Sequence, residues 1–460
     1  MPTPLPRLVV AGTRSGVGKT TLTVGLLAAL VERGHVVSAH KVGPDFLDPG
    51  YHALATGRPP RNLDTVLHGA ERIAPLLLHG AAGADFAVIE GVMGLFDGAG
   101  AGETGSTAEV ARILDAPVLL TVDAAASSGS LAAEVHGFAT FDPRVAVAGV
   151  ILNNLGSPRH EQLARTVVTD AGFDVVGAVH DDPRLTAPER HLGLVPVLER
   201  AAAAREALAR SRAVARAHLD LDAIERIAST APPVEGSPWD PAREARSVPA
   251  SPTRTRPRIA VAGGRAFGFT YTEHTELLTA AGAEVVSVDP LGDEELPAGT
   301  DALVLAGGFP ETHAPELAAN QGFTSAVRRL ASAGNPIVAE CGGMLYLLRE
   351  LDGTPMAGVI DAVGRFTNEL VIGYRRAVSV VDSVLGPSGT STVGHVFHRT
   401  TVTPPSGGRA AWRMSRSPTG PSDPEGFVLG GVHASYLHAA WVSNPALAVA
   451  LTHHAARSAS

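Results

Sequence analysis

With 460 residues, 45% of them hydrophobic, the chain is too long for one ordinary domain and implies two or three with sizeable cores. Its net charge of −9, with no basic stripe or tail, excludes a nucleic-acid protein. The single cysteine, Cys341, rules out an internal disulfide and points to a reducing compartment. No basic region followed by a long apolar core opens the sequence, and no run approaches about 18 apolar residues, so neither a signal peptide nor a membrane span is expected. The expected location is the cytoplasm.

From residue 7 to about 195, short apolar runs alternate with helix-like segments. Strands are expected at Leu8–Ala11, Val36–His40, Phe86–Glu90, Val118–Asp123, Val145–Asn153 and Val175–Val179. Such alternation implies βαβ units in a mostly parallel sheet, with ligands at the carboxyl ends of the strands. After the first run comes Gly12-Thr-Arg-Ser-Gly-Val-Gly-Lys-Thr-Thr21, and a helical pattern begins at Thr20. Glycines that turn backbone amides inward, a helix N-terminus, Lys19 and a hydroxyl at Thr20 are what a phosphate cradle needs. The nucleotide site is therefore read as Gly12, Thr13, Ser15, Gly16, Val17, Gly18, Lys19, Thr20 and Thr21. The first glycine stands one place earlier than the usual spacing, and Arg14 occupies the position of a second lysine in one subgroup of such loops.

The second run ends in Lys41-Val-Gly-Pro-Asp45-Phe-Leu-Asp48 and the third in Glu90-Gly-Val-Met-Gly-Leu-Phe-Asp97-Gly. Carboxylates facing a phosphate loop hold Mg²⁺, directly or through water; the alternative for Asp45 and Asp48 is that they cap turns and helix starts. Thr20, Asp45 and Glu90 are the expected metal set, and Asp45, Asp48 and Asp97 are expected to serve substrate and phosphoryl transfer. Ser106-Thr-Ala-Glu109 reads as a capping box and hence as structural. Asn153-Asn154 suits base recognition or a turn equally. Residues 198 to 225 read as helix closing a first domain of 1–230. A Pro-, Ser- and Arg-rich stretch without periodicity, 231–256, reads as a linker.

A second βα series occupies 257–460, with strands expected at Arg258–Gly263, Glu284–Val288, Ala302–Ala306 and Pro336–Glu340. The last runs into Cys341-Gly-Gly-Met, a nucleophile on a tight strand-to-helix turn, where a helix N-terminus is expected to favour the thiolate. Gly307 and Gly308, at the end of the preceding strand, are expected to form an oxyanion hole with Gly342. The base is sought in Val432-His-Ala-Ser-Tyr-Leu-His438, and pattern alone does not choose between His433 and His438. The other late histidines read as surface or packing residues.

These stretches resemble the cobyrinate or hydrogenobyrinate a,c-diamide synthases, glutamine-dependent corrin amidotransferases. The likeness runs from Gly12 to about Trp441 and adds Gly394-His-Val-Phe-His398 to the segments already quoted. It implies two doubly wound α/β domains: an N-terminal dethiobiotin-synthetase-like P-loop domain and a C-terminal class I glutamine amidotransferase domain of the cobyric-acid-synthase type. It also implies a Cys-His pair rather than a full triad, with Tyr-x-His placing the base at His438. Where family members often read His-x-His-Phe, this chain has His438-Ala-Ala-Trp441, so a second histidine is missing at Ala440. Where they tend to read Glu-Phe-His, it has Val396-Phe-His398.

The implied reaction needs ATP and Mg²⁺. Cys341 releases ammonia from glutamine, and acyl phosphates form at the a and c acetates of hydrogenobyrinic or cobyrinic acid. An Ala/Arg/Pro-rich composition leans to the metal-free corrin. Arg58, Arg61 and His52 are expected to meet the polyanionic tetrapyrrole. No nucleic acid or membrane partner is expected; the oligomeric state stays open, with a homodimer allowed. Two other readings remain: the same chemistry on another tetrapyrrole such as nickel sirohydrochlorin, and a regulatory P-loop ATPase with an inactive amidotransferase module. Glutaminase activity separates the regulatory reading from the enzyme.

Overall fold

The computed structural model describes residues 2–458 apart from 101, 126, 186–188, 191–192, 195, 251–254 and 418–419. The chain divides into two compact units, Met1–Trp239 and Asp240–Ser460. Among the described residues no helix is long and apolar enough to cross a membrane.

The first unit is built on seven strands: β1 (Arg7–Gly12), β2 (Val37–Val42), β3 (Arg61–Leu63), β4 (Phe86–Glu90), β5 (Val118–Asp123), β6 (Val147–Leu155) and β7 (Val175–His180). They lie in the order β3-β2-β4-β1-β5-β6-β7, and every pairing is parallel. Helices cover the faces, which is why β1, β2 and β4 are buried throughout, β1 and β4 reading as nearly unbroken apolar runs while β2 buries Ser38, His40 and Lys41. Arg7 is the exception inside β1. Its buried guanidinium donates to the carbonyls of Leu114, Leu5 and Pro232, and burial lowers its pKa to about 10.

Two helices position the site. α1 (Lys19–Glu32) leaves the phosphate loop through Gly18, whose φ of 92° is a left-handed conformation that glycine adopts without strain. α2 (Leu47–Thr56) ends on Gly57 at φ 68°. The helix Ala201–His218 crosses α1 so closely that a β-carbon on Gly25 would lie 2.4 Å from the Ser211 carbonyl oxygen.

The second unit has a six-stranded sheet of Glu284–Val288, Arg258–Ala262, Thr300–Leu305, Ile337–Glu340, Val432–Ser435 and Phe427–Leu429 in that order, parallel except for the last pair. A further, mostly antiparallel sheet is built on the long hairpin of Ile360–Ser379 with Ser391–Thr403. No sequence pattern marks this second sheet. Its longest strand is exposed through its middle and alternates only towards its ends, so no apolar run marks it.

The expected linker also differs. Val234 bridges Thr3 and the Trp239 amide donates to Pro75, so 231–239 pack with the first unit. Pro241–Ser247 is a helix of the second unit, capped by the Asp240 side chain on the Ala242 amide. Capping and proline at the first helical position outweigh the Pro- and Ser-rich composition there. Within the expected linker, 251–254 lie outside the described residues, as does residue 195.

Candidate active sites

The loop after β1 is held by close approach. A β-carbon on Gly12 would sit 2.6 Å from Val17 Cγ2 and 3.1 Å from Lys19 Cδ, so the early glycine is the one the lysine stem folds over. On Gly18 it would meet Asn153 Nδ2 at 2.3 Å, and that amide donates to the Val17 carbonyl at 2.9 Å. Asn153 thus braces the loop from β6. Asn154, at φ 59°, donates to Asp123 from within β6, where the pairing with β7 is irregular. Arg14 pairs with Asp123. Lys19 Nζ reaches the carbonyls of Met93, 2.6 Å, and Arg14, 3.2 Å. Burial, helped by Lys41, lowers its pKa to about 8.

Behind the loop stands a buried polar cluster. Glu90, at the end of β4, accepts from Thr20 Oγ1 at 2.7 Å and Lys41 Nζ at 2.9 Å on one oxygen. Its other oxygen meets His52 Nε2 at 2.6 Å. Lys41 also holds Asp48 Oδ2 at 2.7 Å and the Gly91 carbonyl at 2.9 Å, while Thr20 Oγ1 lies 3.3 Å from Asp48 Oδ2. Burial alone would push Glu90 up, but Lys41 and His52 outweigh it and hold the carboxyl below its ordinary range. Asp48 goes the other way, raised by burial and by Asp45.

Of the carboxylates expected to work together, Asp48 and Glu90 are joined through Thr20 and Lys41. Asp45 Oδ1 instead caps α2, accepting from the amides of Leu47, 2.7 Å, and Asp48, 2.8 Å. Exposed Asp97 turns Oδ2 to the Gly94 amide at 2.8 Å. Ser106 caps the next helix through the Glu109 amide as expected, but the Glu109 carboxylate goes to Gly105 and Thr65, so the box is not reciprocal.

The three cations expected to meet the corrin are engaged within the first unit. His52 is wholly buried on Glu90, Arg58 donates to the carbonyls of Gly80 and Ala82, and Arg61 is buried in β3. Lys41 is the functional residue that sequence reasoning passed over, and His52, expected at the corrin, is held on Glu90 instead. A lysine inside a buried strand is itself a signal, since burial demands a carboxylate partner.

The donor set fits Mg²⁺ rather than a transition metal: a hydroxyl and two carboxylates, hard oxygen donors with nucleotide phosphates to complete them. Among the described residues no group of three or more His, Cys, Asp or Glu side chains is arranged to hold a metal by itself.

In the second unit Cys341 sits between the strand Ile337–Glu340 and the short helix Gly342–Leu347 at φ 48°, ψ −105°. This is a strained conformation for a residue with a side chain. Its amide donates to the Ser435 carbonyl at 2.7 Å, and Sγ lies 3.8 Å from the Phe397 carbonyl. Small residues let the parts close up. A β-carbon on Gly342 would lie 2.8 Å from the Gly308 amide nitrogen, and one on Gly307 would lie 2.3 Å from His438 Cε1. Nucleophile turn, glycine loop and His438 therefore form one continuous contact.

His433 lies elsewhere, with Nδ1 3.1 Å from Ser383 Oγ and its ring edge-on to Trp412. His395 stacks on His438 at 4.7 Å, and His398 on Tyr436 at 3.7 Å. Trp441 stacks on His274 at 4.3 Å beside the buried Ala440, so aromatic packing fills the neighbourhood of the missing second histidine.

Burial first, and then Glu311, push the Cys341 pKa up, against the expectation that the helix N-terminus would lower it. Six residues of helix are too weak a dipole to offset desolvation. Burial keeps the His438 imidazole neutral, its pKa well below the ordinary value.

Residues 8–195 match the model of the CobQ/CobB/MinD/ParA nucleotide binding domain, and residues 258–446 match that of the CobB/CobQ-like glutamine amidotransferase domain. The chain is 52% identical over 470 residues to the hydrogenobyrinate a,c-diamide synthase of Streptomyces coelicolor, covering 96% of each. It is 50% identical over 454 residues to that of Mycobacterium bovis, covering 98% of each. To the cobyrinate a,c-diamide synthase of Dehalococcoides mccartyi it is 39% identical over 455 residues, covering 96% of each.

Proposed function

The chain belongs to the family of hydrogenobyrinate and cobyrinate a,c-diamide synthases, glutamine-dependent amide ligases, and from that premise we propose that it amidates the a and c acetates of hydrogenobyrinic acid with ATP and glutamine. The observation that carries the reading is the joint presence of a phosphate loop backed by Glu90 and Asp48 and a cysteine on a strained elbow. Greater likeness to proteins named for hydrogenobyrinate than to one named for cobyrinate supports the metal-free substrate.

In the second unit Cys341 attacks the side-chain amide carbon of glutamine. Neutral His438 takes the thiol proton and returns it to departing ammonia, while the amides of Gly308 and Gly342 meet the oxyanion. Water then hydrolyses the thioester to glutamate.

In the first unit the loop amides and Lys19 bind the outer phosphates of ATP, so that an acetate carboxylate of the corrin attacks the γ-phosphorus in line. Ammonia displaces phosphate from the acyl phosphate, and the cycle repeats at the second acetate. Thr20, Asp48 and Glu90 would hold Mg²⁺, with Lys41 balancing the carboxylates. When bound, the metal screens the charge of the transferring group. Asp97, exposed on the loop after β4, is assigned to the acceptor carboxylate.

The test compares ADP release with hydrogenobyrinic and cobyrinic acids in the presence of ATP, Mg²⁺ and glutamine. The metal-free corrin is expected to raise turnover more. If neither raises it above background, the proposed substrate is wrong.

A pH dependence follows from Lys19. Its working form is the ammonium, and with the pKa lowered to about 8 that form is complete only below this value. The kcat/KM for ATP should therefore fall as pH rises through 8, well before an ordinary surface lysine deprotonates. A flat profile from pH 7 to 9.5 would remove Lys19 from this role.

A further inference from the structure

A Cys-His pair still has to aim its imidazole. In Cys-His-Asn and Ser-His-Asp sites a third side chain does this by bonding the ring itself. Here the two residues after His438 are alanines, and the fold offers a different device.

The segment Ser435–Ala439 is held from both ends by carboxyl groups. Glu425, at the end of the strand Ser422–Glu425, accepts from Ser435 Oγ at 2.6 Å with one oxygen and from the Tyr436 amide at 2.9 Å with the other. Ser435 Oγ in turn accepts from the Leu437 amide at 2.9 Å. On the far side of His438 the Ala439 amide donates to Glu340 Oε1 at 3.3 Å, and Glu340 is the residue immediately before Cys341. The Ser435 carbonyl takes the Cys341 amide. Polar bonds thus fix the backbone at 435, 436, 437 and 439, and His438 pairs with His395 of the strand Ser391–Thr403, so that the turn presents the imidazole from a backbone held on every side.

We propose that Glu425 is a positioning residue of the glutaminase reaction, which, with Glu340 as its counterpart, locks the turn bearing His438 in register with Cys341. The inference rests on the assignment of Cys341 and His438 as nucleophile and base. Glu425 touches neither glutamine nor the thiol; it acts through the backbone. A bidentate acceptor suits this work, because two bonds from one rigid carboxyl define both position and direction. Displacing an imidazole by about 1 Å costs roughly 100-fold in rate.

The test uses the full-length chain with Glu425→Leu, Glu425→Gln and Ser435→Ala. Glutaminase kcat, the KM for glutamine and corrin-dependent ADP release with ammonium salt as nitrogen source are measured side by side. Glu425→Leu should lose about 100-fold in glutaminase kcat with KM for glutamine within twofold, and ammonium-supported turnover should be unchanged. Glu425→Gln keeps one acceptor oxygen and should recover most of the loss. Ser435→Ala, which removes the hydroxyl between Glu425 and Leu437, should fall in between and carries the test if the leucine variant fails to accumulate.

Glutaminase within twofold of wild type in Glu425→Leu or Ser435→Ala would overturn the proposal. A parallel fall in ammonium-supported turnover would overturn it too, by showing a general structural role. Failure of the underlying assignment looks different: Cys341→Ala or His438→Ala would then retain glutaminase activity.

Discussion

Cys341→Ala is expected to abolish glutamine-dependent amidation, by about 1,000-fold or more, and to leave amidation supported by ammonium salts at the wild-type rate. The two effects separate because the residues involved lie in different units. Cys341 sits on its elbow in Asp240–Ser460, whereas Lys19, Thr20 and Glu90 belong to Met1–Trp239. Removing the sulfur takes away the only nucleophile the turn presents, and the neighbouring glycines cannot replace it. The fold should tolerate the change. Alanine fits the space with a small void, and the φ of 48° is no worse for it than for cysteine, so a loss of about 1 kcal/mol in stability is the upper expectation. ADP release and mass spectra of the corrin, each measured with glutamine and with ammonium chloride, check this directly. Loss of both activities would mean that the ligase reaction depends on the thiol in a way the proposed mechanism does not contain.

How much of this was legible depended on where each signal lay. Buried parallel strands announce themselves: Phe86–Glu90, Val118–Asp123 and Glu284–Val288 were bounded to the residue by apolar runs between turn signals. The glycine loop before Lys19 and the Cys341-Gly-Gly turn were legible for a related reason, since local backbone demands admit few residue types. Partnerships were not. Lys41 faces Glu90 because β2 and β4 pair in parallel with those two residues as register partners, and nothing in either strand encodes a register across 49 positions.

His52 was misjudged for the same reason. On a helical pattern it reads as a cation for solvent or substrate, and only the packing of α2 against β2, beside β4, turns it onto Glu90. Asp45, expected at the metal, spends one oxygen on capping α2, a short-range effect, whereas Asp48 reaches Thr20 and Lys41 only through tertiary packing. The hairpin of Ile360–Ser379 and Ser391–Thr403 stayed hidden because its exposed middle leaves no contrast between faces. The helix at Pro241–Ser247 could have been found. Asp240-Pro241 is a cap followed by proline, and composition was allowed to overrule it.

Glu90→Gln is expected to lower corrin-dependent ADP release about 100-fold or more with either nitrogen source, and to leave glutaminase intact, the mirror image of Cys341→Ala. Glu90 is fully buried and receives Thr20, Lys41 and His52. An amide keeps the shape but carries no charge, so Lys41 is left with Asp48 as its only carboxylate contact, and the amide nitrogen opposes one of the former donors. Uncompensating a buried ion pair in this way costs about 3–5 kcal/mol, so the variant should also be less stable. The sign of the pH effect is fixed by the direction of the Glu90 shift. Its folded-state pKa is depressed, so the stability it adds is present above the ordinary carboxylate range, near pH 4, and is lost as pH falls further. The stability gap between wild type and Glu90→Gln in urea should therefore be full at pH 7 and narrow below pH 4. A variant that kept ammonium-supported turnover would move phosphoryl transfer away from the Thr20–Glu90 cluster, and a gap unchanged by acid would mean that Glu90 is not held as a charged partner of Lys41 and His52.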